Sequence, residues 1–252
     1  MDRTALRVGV VTPHAAPGPE LELPEMTDGR VATVVARVRP TGISTETPTS
    51  TASGLRSQAE APVLDRAGAA LGGGSVEVVA HASTSTGYVV GHLAEAALVE
   101  RLSQSCGVPV VASGSSAVEA LRSCGSQRVA VVHPPWFDDE VHELGSAYFR
   151  EQTFDVSLYK ADSLPGDPAS VRPHQVVDWV LRHVDDRVDA VFFGGNGLRA
   201  AGAISELERR TGLVVLEANQ VLLWSVLAVT RSSMRVTGCG RLFETPGLEA
   251  AD

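Results

Sequence analysis

The segments Val76-Glu77-Val78-Val79-Ala80-His81-Ala82-Ser83-Thr84-Ser85 and Val188-Asp189-Ala190-Val191-Phe192-Phe193-Gly194-Gly195-Asn196-Gly197 share one plan. Each is an apolar run that ends in small polar residues or glycine, with Ser83 and Gly195 at equivalent places. Each leads through a helical stretch to a second apolar run after a glycine, at 107–112 and 212–217. An internally duplicated α/β unit explains this pattern, with two equivalent loops converging on one site.

Short β-branched runs predict eight strands, mostly apolar throughout and therefore buried on both faces. They are residues 7–12, 31–39, 76–81, 108–112, 128–132, 154–159, 188–193 and 213–217. Helical spacing lies at 93–106, 116–124, 138–152, 170–184, 200–211 and 219–231. The alternation predicts an α/β fold of two pseudo-symmetric lobes, each a mostly parallel four-stranded sheet flanked by helices. We expect residues 1–112 and 218–252 to form one lobe and 113–217 the other, with the active site between them.

Composition narrows the class of protein. The 252 residues include 21 basic and 30 acidic side chains, a formal charge of -9 that repels nucleic-acid phosphates and anionic membranes. The three cysteines, Cys106, Cys124 and Cys239, are scattered and form no CxxC motif, which argues against a disulfide framework or a zinc site. No window reaches the length of a membrane span, and the start of the chain has no long apolar segment. We expect a cytoplasmic protein without metal or cofactor, and a homo-oligomer is left open.

The stretch 41–57 is rich in Thr, Ser, Gly and Pro. This composition predicts a long loop, and long loops in compact domains often act as lids over a site. The chain also has no GxGxxG or GxxxxGK[ST] motif, because Gly72-Gly73-Gly74 precedes a predicted strand instead of following one. Nucleotide binding therefore lacks support.

The loops after the predicted strands are the candidate binding positions, because α/β sheets bind ligands at the carboxyl ends of their strands. Ser83, Thr84 and Ser85 present hydroxyl and backbone N–H groups suited to a carboxylate or an oxyanion. Glycines at 194–197 let a ligand approach the backbone, and Asn196 tolerates positive φ. The alternative is that these residues only cap a helix and turn the chain.

Histidines also lie at predicted strand ends. His14, His81 and His133 could act as acid or base near neutral pH, and Glu217 at the end of the last strand has the same capacity. The alternative for each is an ordinary hydrogen-bonded side chain. Trp136 is more typical of a pocket wall than of a reactant.

Several stretches together carry a family resemblance through their order and spacing. They are Gly9-Val10-Val11-Thr12-Pro13, Ser83-Thr84-Ser85, Ala117-Val118-Glu119-Ala120-Leu121-Arg122, Arg128-Val129-Ala130-Val131-Val132 with 138–144, 204–212, Asn219-Gln220 with Leu223-Trp224, and Gly240-Arg241-Leu242-Phe243. Over nearly its whole length the chain resembles the aspartate/glutamate racemase superfamily, in the arylmalonate decarboxylase and maleate isomerase branch.

The resemblance implies a cofactor-independent enzyme in which two loop cysteines flank the substrate α-carbon. Loop amides and hydroxyls bind the substrate carboxylate as an enediolate develops. In this chain Ser83 and Gly195 stand at the positions of those cysteines, and Pro135-Trp136 replaces a tyrosine of the anion hole. Two-base racemisation and thiolate-dependent isomerisation are therefore undermined, whereas decarboxylation needs the cysteine only to deliver a proton. A histidine or water could supply that proton.

We therefore predict a cofactor-independent, decarboxylase-like lyase or isomerase that acts on a small or natural-product carboxylate or carbonyl compound through an enolate held in an anion hole. The predicted catalytic residues are Ser83, His14, His133 and Glu217, and the predicted substrate-binding residues are Pro13, Thr84, Ser85, Trp136, Gly195, Asn196 and Asn219. Two alternatives stay open. One is a repurposed biosynthetic hydrolase, dehydratase or cyclase that uses a His or Glu as acid or base, and the other is a non-catalytic ligand-binding homologue.

Overall fold

The computed structural model describes residues 5–39, 51–60 and 62–244, and these form two four-stranded parallel sheets. The first contains β1 (Leu6–Thr12), β2 (Val31–Arg37), β3 (Val78–His81) and β4 (Val110–Ala112), in the order β2-β1-β3-β4. The second contains β5 (Arg128–His133), β6 (Asp155–Lys160), β7 (Ala190–Phe193) and β8 (Val214–Glu217), in the order β6-β5-β7-β8.

The two sheets repeat one topology. In each, the first strand pairs with the second and the third, so the direction of strand order reverses between β1 and β3 and between β5 and β7. All eight predicted strands and the predicted two-sheet α/β fold are confirmed. The crevice outside the carboxyl end of such a switch point is where open α/β sheets bind ligands.

Ten α-helices cover the sheets in the described part of the chain. They are α1 (Pro19–Met26), α2 (Ala52–Ala59), α3 (Val63–Gly72), α4 (Thr84–Val90), α5 (His92–Cys106), α6 (Ser113–Ser123), α7 (Asp139–Glu151), α8 (Pro173–His183), α9 (Ile204–Thr211) and α10 (Ala218–Val229). The six predicted helices correspond to α5–α10. The sequence patterns missed α1–α4. Helices α1, α2 and α4 are seven or eight residues long and contain Pro, Ser, Thr or Gly, residues of low intrinsic helix propensity, whereas the ten-residue α3 combines three Ala with two Gly.

The prediction of one long loop at 41–57 was wrong for residues 52–57. They belong to α2, whose start is capped by the Thr51 hydroxyl accepting the Gly54 N–H at 3.2 Å. Residues 41–50 of that predicted loop lie outside the described ranges, and a lid role stays a prediction.

Helix α10 contacts strands of both sheets, and almost all of its side chains are buried. It packs against α6 and α1 and contacts β3, β4 and β8. Assigning 218–252 to the same lobe as residues 1–112 stays a prediction. None of the described helices is long and apolar enough to cross a membrane.

A buried carboxyl group connects four helices, α4, α5, α6 and α7. Glu95 of α5 is fully buried and accepts a hydrogen bond of 2.5 Å from the Tyr148 hydroxyl of α7. It fits against glycines of α4 and α6, because a Cβ at Gly114 would come within 2.7 Å of the carboxylate and one at Gly87 would come closer still. Burial raises the pKa of Glu95 to about 7.

We predict that Glu95→Gln removes a pH-dependent loss of stability. In the wild type the carboxyl stays neutral in the folded state up to about pH 7, whereas the unfolded chain ionises near 4.5. Its contribution is therefore present below pH 4.5 and lost as the pH rises through 7. The variant should gain up to about 3 kcal/mol relative to wild type between pH 5 and pH 8.

Denaturant unfolding at both pH values measures this difference. The control is Glu100→Gln, at an exposed position on the same helix, which should follow the wild type. A constant difference between Glu95→Gln and wild type across this pH range would show that the buried carboxyl does not titrate as described.

Candidate active site

A pocket of about 160 Å³ opens at the carboxyl ends of the strands. Its wall is built mainly from the loops that follow β1, β3, β5 and β7, the four strands at the two switch points. The lining residues are His14, Ala15, Ala16, Ser85, Trp136, Phe137, Val141, Gly166, Pro168 and Gly197. The pocket thus lies where both halves of the duplication place the ends of their central strands.

The pocket is small and mostly apolar. An engineered cavity of roughly 150 Å³ in another protein holds benzene, so this volume suits one ring-sized group. Trp136, Phe137, Val141 and Pro168 supply its large apolar surfaces, and Ser85 and His14 supply its polar side chains. A few polar groups in an apolar concavity are typical of a small-molecule site.

The two equivalent loops meet through a reciprocal pair of hydrogen bonds. The Gly195 N–H donates to the Thr84 hydroxyl oxygen at 2.8 Å, and the Thr84 N–H donates to the Asn196 side-chain oxygen at 3.1 Å. Thr84 and Asn196 are fully buried. We name this arrangement the loop junction.

A buried polar network supports the loop junction from below. The Asn196 side-chain NH₂ donates to the Ser113 hydroxyl and to the Asn219 side-chain oxygen, both at 2.9 Å. Asn219 in turn donates to the Glu22 carboxylate at 2.7 Å, which also accepts the Ala201 N–H. Burial is the main cause that raises the pKa of Glu22 to about 7. Asn219 is thus placed beneath the junction and not among the lining residues.

Ser83 and Ser85 both lie at the start of α4, and only Ser85 is among the lining residues of the pocket. The Ser83 hydroxyl accepts the Thr86 N–H at 3.1 Å and so caps the helix. It also lies 3.1 Å from the Ser85 hydroxyl. Ser83 is fully buried, whereas Ser85 reaches the pocket, so the second hydroxyl is the one that can meet a ligand directly.

Among the histidines at strand ends, His14 is the one that lines the pocket. Its Nε2 atom is buried and has no hydrogen-bond partner. Burial, assisted by the nearby Arg37, lowers the pKa of His14 to about 4. The imidazole is therefore neutral at pH 7 and keeps one ring nitrogen without a hydrogen-bond partner. The preceding Pro13 is buried and is not among the lining residues.

His81 and His133 are buried away from the pocket surface. Burial lowers the pKa of His81 to about 4 and that of His133 well below its ordinary value. The His133 Nδ1 atom pairs with Nδ1 of His142 at 3.0 Å, and its ring packs against Tyr88 and Phe137. Both histidines therefore pack behind the loops.

Glu217 begins α10 as its N-cap. Its carboxylate accepts the N–H groups of Asn219 and Gln220, and the Gln220 side chain accepts the Glu217 N–H in return. Burial and the neighbouring Glu22 raise the pKa of Glu217 well above its ordinary value. The structure thus places this carboxyl in a helix cap and not among the lining residues.

The cysteines are also absent from the lining residues. Cys106 and Cys239 are buried, and burial raises the pKa of each to about 11. Cys124 follows α6 and its pKa is raised by burial as well. Each thiol is therefore protonated at pH 7, and none of them is a thiolate nucleophile at that pH.

Several lining residues carried no site signal in the sequence. Val141 lies inside α7, and Gly166 and Pro168 come from the connection after β6. No candidate loop included the last two, because they do not directly follow a strand. Phe137 and Gly197 lay in candidate loops, but their residue types suggest packing or a turn rather than binding.

Comparisons with known proteins support one family. A family model for arylmalonate decarboxylase matches residues 53–243. An arylmalonate decarboxylase of Bordetella bronchiseptica is 26% identical over 172 residues, which cover 66% of this chain and 71% of the relative. A maleate isomerase of Pseudomonas putida is 24% identical over 247 residues, which cover 94% and 96%.

A similar solved structure is that of a cysteine-to-alanine variant of the maleate isomerase of Pseudomonas putida S16, determined with maleate. Its TM-score is 0.81 at 23% identity, and the match covers 97% of this chain and 100% of that one. This likeness establishes the fold.

We predict that Gly195→Ala destabilises the protein by about 1–3 kcal/mol. Gly195 has φ +91°, and a Cβ there would lie 3.1 Å from the Pro134 side chain and 3.3 Å from Phe137. Gly197→Ala is the matched control, because a Cβ at Gly197 meets nothing within 4 Å; it should change stability by less than about 0.5 kcal/mol. Denaturant unfolding measures both, and equal stabilities would contradict the strain assigned to position 195.

Proposed function

Because the chain belongs to the arylmalonate decarboxylase family, we propose that it is a cofactor-independent lyase or isomerase that forms an enolate from a small carboxylate or carbonyl compound. The observation that carries this proposal is the pocket itself. It contains a hydroxyl donor, Ser85, and a neutral imidazole, His14, beside apolar side chains that leave room for one ring-sized group. The pocket lies at the ends of the four central strands. Named relatives act on arylmalonates and maleate, which supports a small carboxylate or carbonyl substrate.

In the proposed reaction, Ser85 donates a hydrogen bond to the substrate oxygen that becomes the enolate oxygen. The Ser85 proton is free for the substrate when the Thr86 hydroxyl, 2.7 Å from Ser83, donates to Ser83 and the Ser83 hydroxyl donates to the Ser85 oxygen at 3.1 Å. A donor aimed at developing charge in a water-poor pocket stabilises the transition state more than the ground state. The ring-sized group of the substrate packs against Trp136 and Phe137.

A decarboxylase-like course fits the absent cysteines. The bond between the α-carbon and the departing carboxylate breaks, and its electron pair enters the enolate. An apolar wall favours loss of the carboxylate as neutral CO₂, since it offers that charge no partner. The α-carbon then takes up a proton. With no thiol at position 83 or 195, we assign the exchange of that proton to His14 and to water.

The alternatives are separable. A repurposed hydrolase, dehydratase or cyclase that uses His14 as acid or base would turn over other substrates but would still depend on this imidazole. Glu217 is a weaker candidate for such a role, because its carboxylate accepts two backbone N–H groups of α10. A non-catalytic homologue would bind ligands in the pocket and change none of them.

We expect turnover of at least one aryl probe in D₂O and a large loss in Ser85→Ala. The probes are phenylmalonate, maleate, 2-phenylpropionate and phenylacetone, followed by proton NMR for loss of CO₂, isomerisation or α-deuterium exchange. Ser85→Ala should lower kcat on the order of a hundredfold with a smaller change in KM, because the hydrogen bond strengthens in the transition state.

Ser123→Ala, an exposed substitution at the end of α6, is the control and should retain full activity. Binding of these probes without any turnover would reject the enzyme proposal in favour of a binding protein. Equal kcat in Ser85→Ala and wild type would remove Ser85 from the mechanism.

We also expect α-proton exchange to need neutral His14. Because burial lowers the pKa of this imidazole to about 4, kcat/KM should stay level from pH 7 downward and fall only as the pH drops through about 4. His14→Gln should be slower and lack this limb. Circular dichroism must verify folding at each pH, because burial also lowers the pKa of His81 and His133. A limb near pH 6.5 would show that the titrating group is a solvated histidine instead.

A further inference from the structure

Two residues of the pocket lining are direct chain neighbours of the loop junction. They are Ser85 and Gly197, and the residue just before each of them is fully buried: Thr84 in one case and Asn196 in the other. Thr84 and Asn196 are not lining residues themselves, but each directly precedes one in the chain, and the two side chains are hydrogen-bonded to the opposite loop at the junction.

At the loop junction, two backbone N–H groups that would suit a carboxylate are already hydrogen-bonded to side chains. The Thr84 N–H donates to the Asn196 side-chain oxygen, and the Gly195 N–H donates to the Thr84 hydroxyl oxygen. The Asn196 amide oxygen thus stands in for one ligand oxygen. The orientation of this amide is fixed, because its NH₂ group donates to Ser113 and to the Asn219 oxygen.

Little charge compensation is left for an anion inside the pocket. No Lys or Arg is among the lining residues in the described part of the chain. Arg37, the cation that acts on His14, is paired with Glu20 and is not among the lining residues. A buried carboxylate without a cation or several donors is costly, whereas a carbonyl oxygen needs only one or two neutral donors. Ser85 and His14 can provide those.

We infer that Asn196 is a specificity-determining residue whose side chain fills the carboxylate position at the loop junction. The site therefore takes the neutral carbonyl oxygen of a ring-bearing compound, such as an aryl ketone or an aryl β-oxo acid, and rejects substrates that need a carboxylate bound there. This inference rests on the proposed function for its enolate chemistry and narrows its substrate class.

The wild-type test is a titration of ¹⁵N-labelled protein with phenylacetone and with phenylmalonate at pH 7. Phenylacetone should shift resonances of pocket residues, including Ser85 and Gly197, and phenylmalonate should bind at least tenfold more weakly. The Thr84 and Gly195 amide resonances should stay unmoved by phenylmalonate. Equal or tighter phenylmalonate binding that shifts these two amides would overturn the inference.

The variant test is Asn196→Ala, which uncovers the Thr84 N–H. Its affinity for phenylmalonate should exceed that of the wild type at least tenfold, as expected for a regained hydrogen bond to a charged group. Ser113→Ala is the matched control. It removes one partner of the Asn196 NH₂ group and leaves the amide oxygen on Thr84, so its phenylmalonate affinity should equal that of the wild type. Unchanged affinity in folded Asn196→Ala, or an equal gain in Ser113→Ala, would contradict the assignment.

Thermal melting shows whether Asn196→Ala folds, and Asn196→Ser is the substitute if it does not. If both variants fail to fold, the wild-type titration still tests the assignment, because phenylmalonate binding that shifts the Thr84 and Gly195 amides would overturn it. These readouts need no turnover, so an inactive enzyme with the expected binding pattern would reject the proposed reaction and leave the specificity role of Asn196 intact.

Discussion

The structure depends on the reciprocal hydrogen bonds between the β3–α4 loop and the loop after β7. Thr84 accepts the N–H of Gly195 and donates its own N–H to Asn196. All three groups are buried, where an unmade hydrogen bond costs far more than it would at the surface. The two halves of the duplication are therefore held in one relative position at their switch points, and the pocket above inherits that geometry.

The polar network beneath these loops extends the same constraint into α1 and α10. Asn219 connects Asn196 to Glu22, and Glu217 caps the helix that carries Asn219. Burial raises the pKa of both carboxyl groups. A fully satisfied network of this kind rigidifies its surroundings. Rigid loops favour a preorganised site, because the donors need no rearrangement when charge develops.

In this chain the residues at positions 83 and 195 have structural roles in the fold of the family. The arylmalonate decarboxylase family was identified from the order and spacing of short motifs, and the match over residues 53–243 confirms it. The serine and glycine at positions 83 and 195 are fully built into the fold, since Ser83 caps α4 and Gly195 requires positive φ. The loops therefore persist as structural elements, and the proposed chemistry moves to Ser85 and His14.

The sequence alone determined the eight strands, six of the ten described helices, the repeated topology and the family. These follow from local apolar periodicity and from motif order, which do not depend on distant contacts. It also pointed to the strand-end loops as the site. Helices α1, α2 and α4 escaped prediction because they are short and of weak local propensity, so packing decides whether they form.

Only the tertiary structure decided which of the candidate side chains face the pocket. His14 lines it and His81 and His133 do not, although all three lie at strand ends. The Asn196 side-chain oxygen accepts the N–H of Thr84, 112 positions earlier in the chain. The Glu217 carboxylate caps α10. Side-chain direction at a loop is set by partners that folding brings from distant parts of the chain, and no local pattern encodes them.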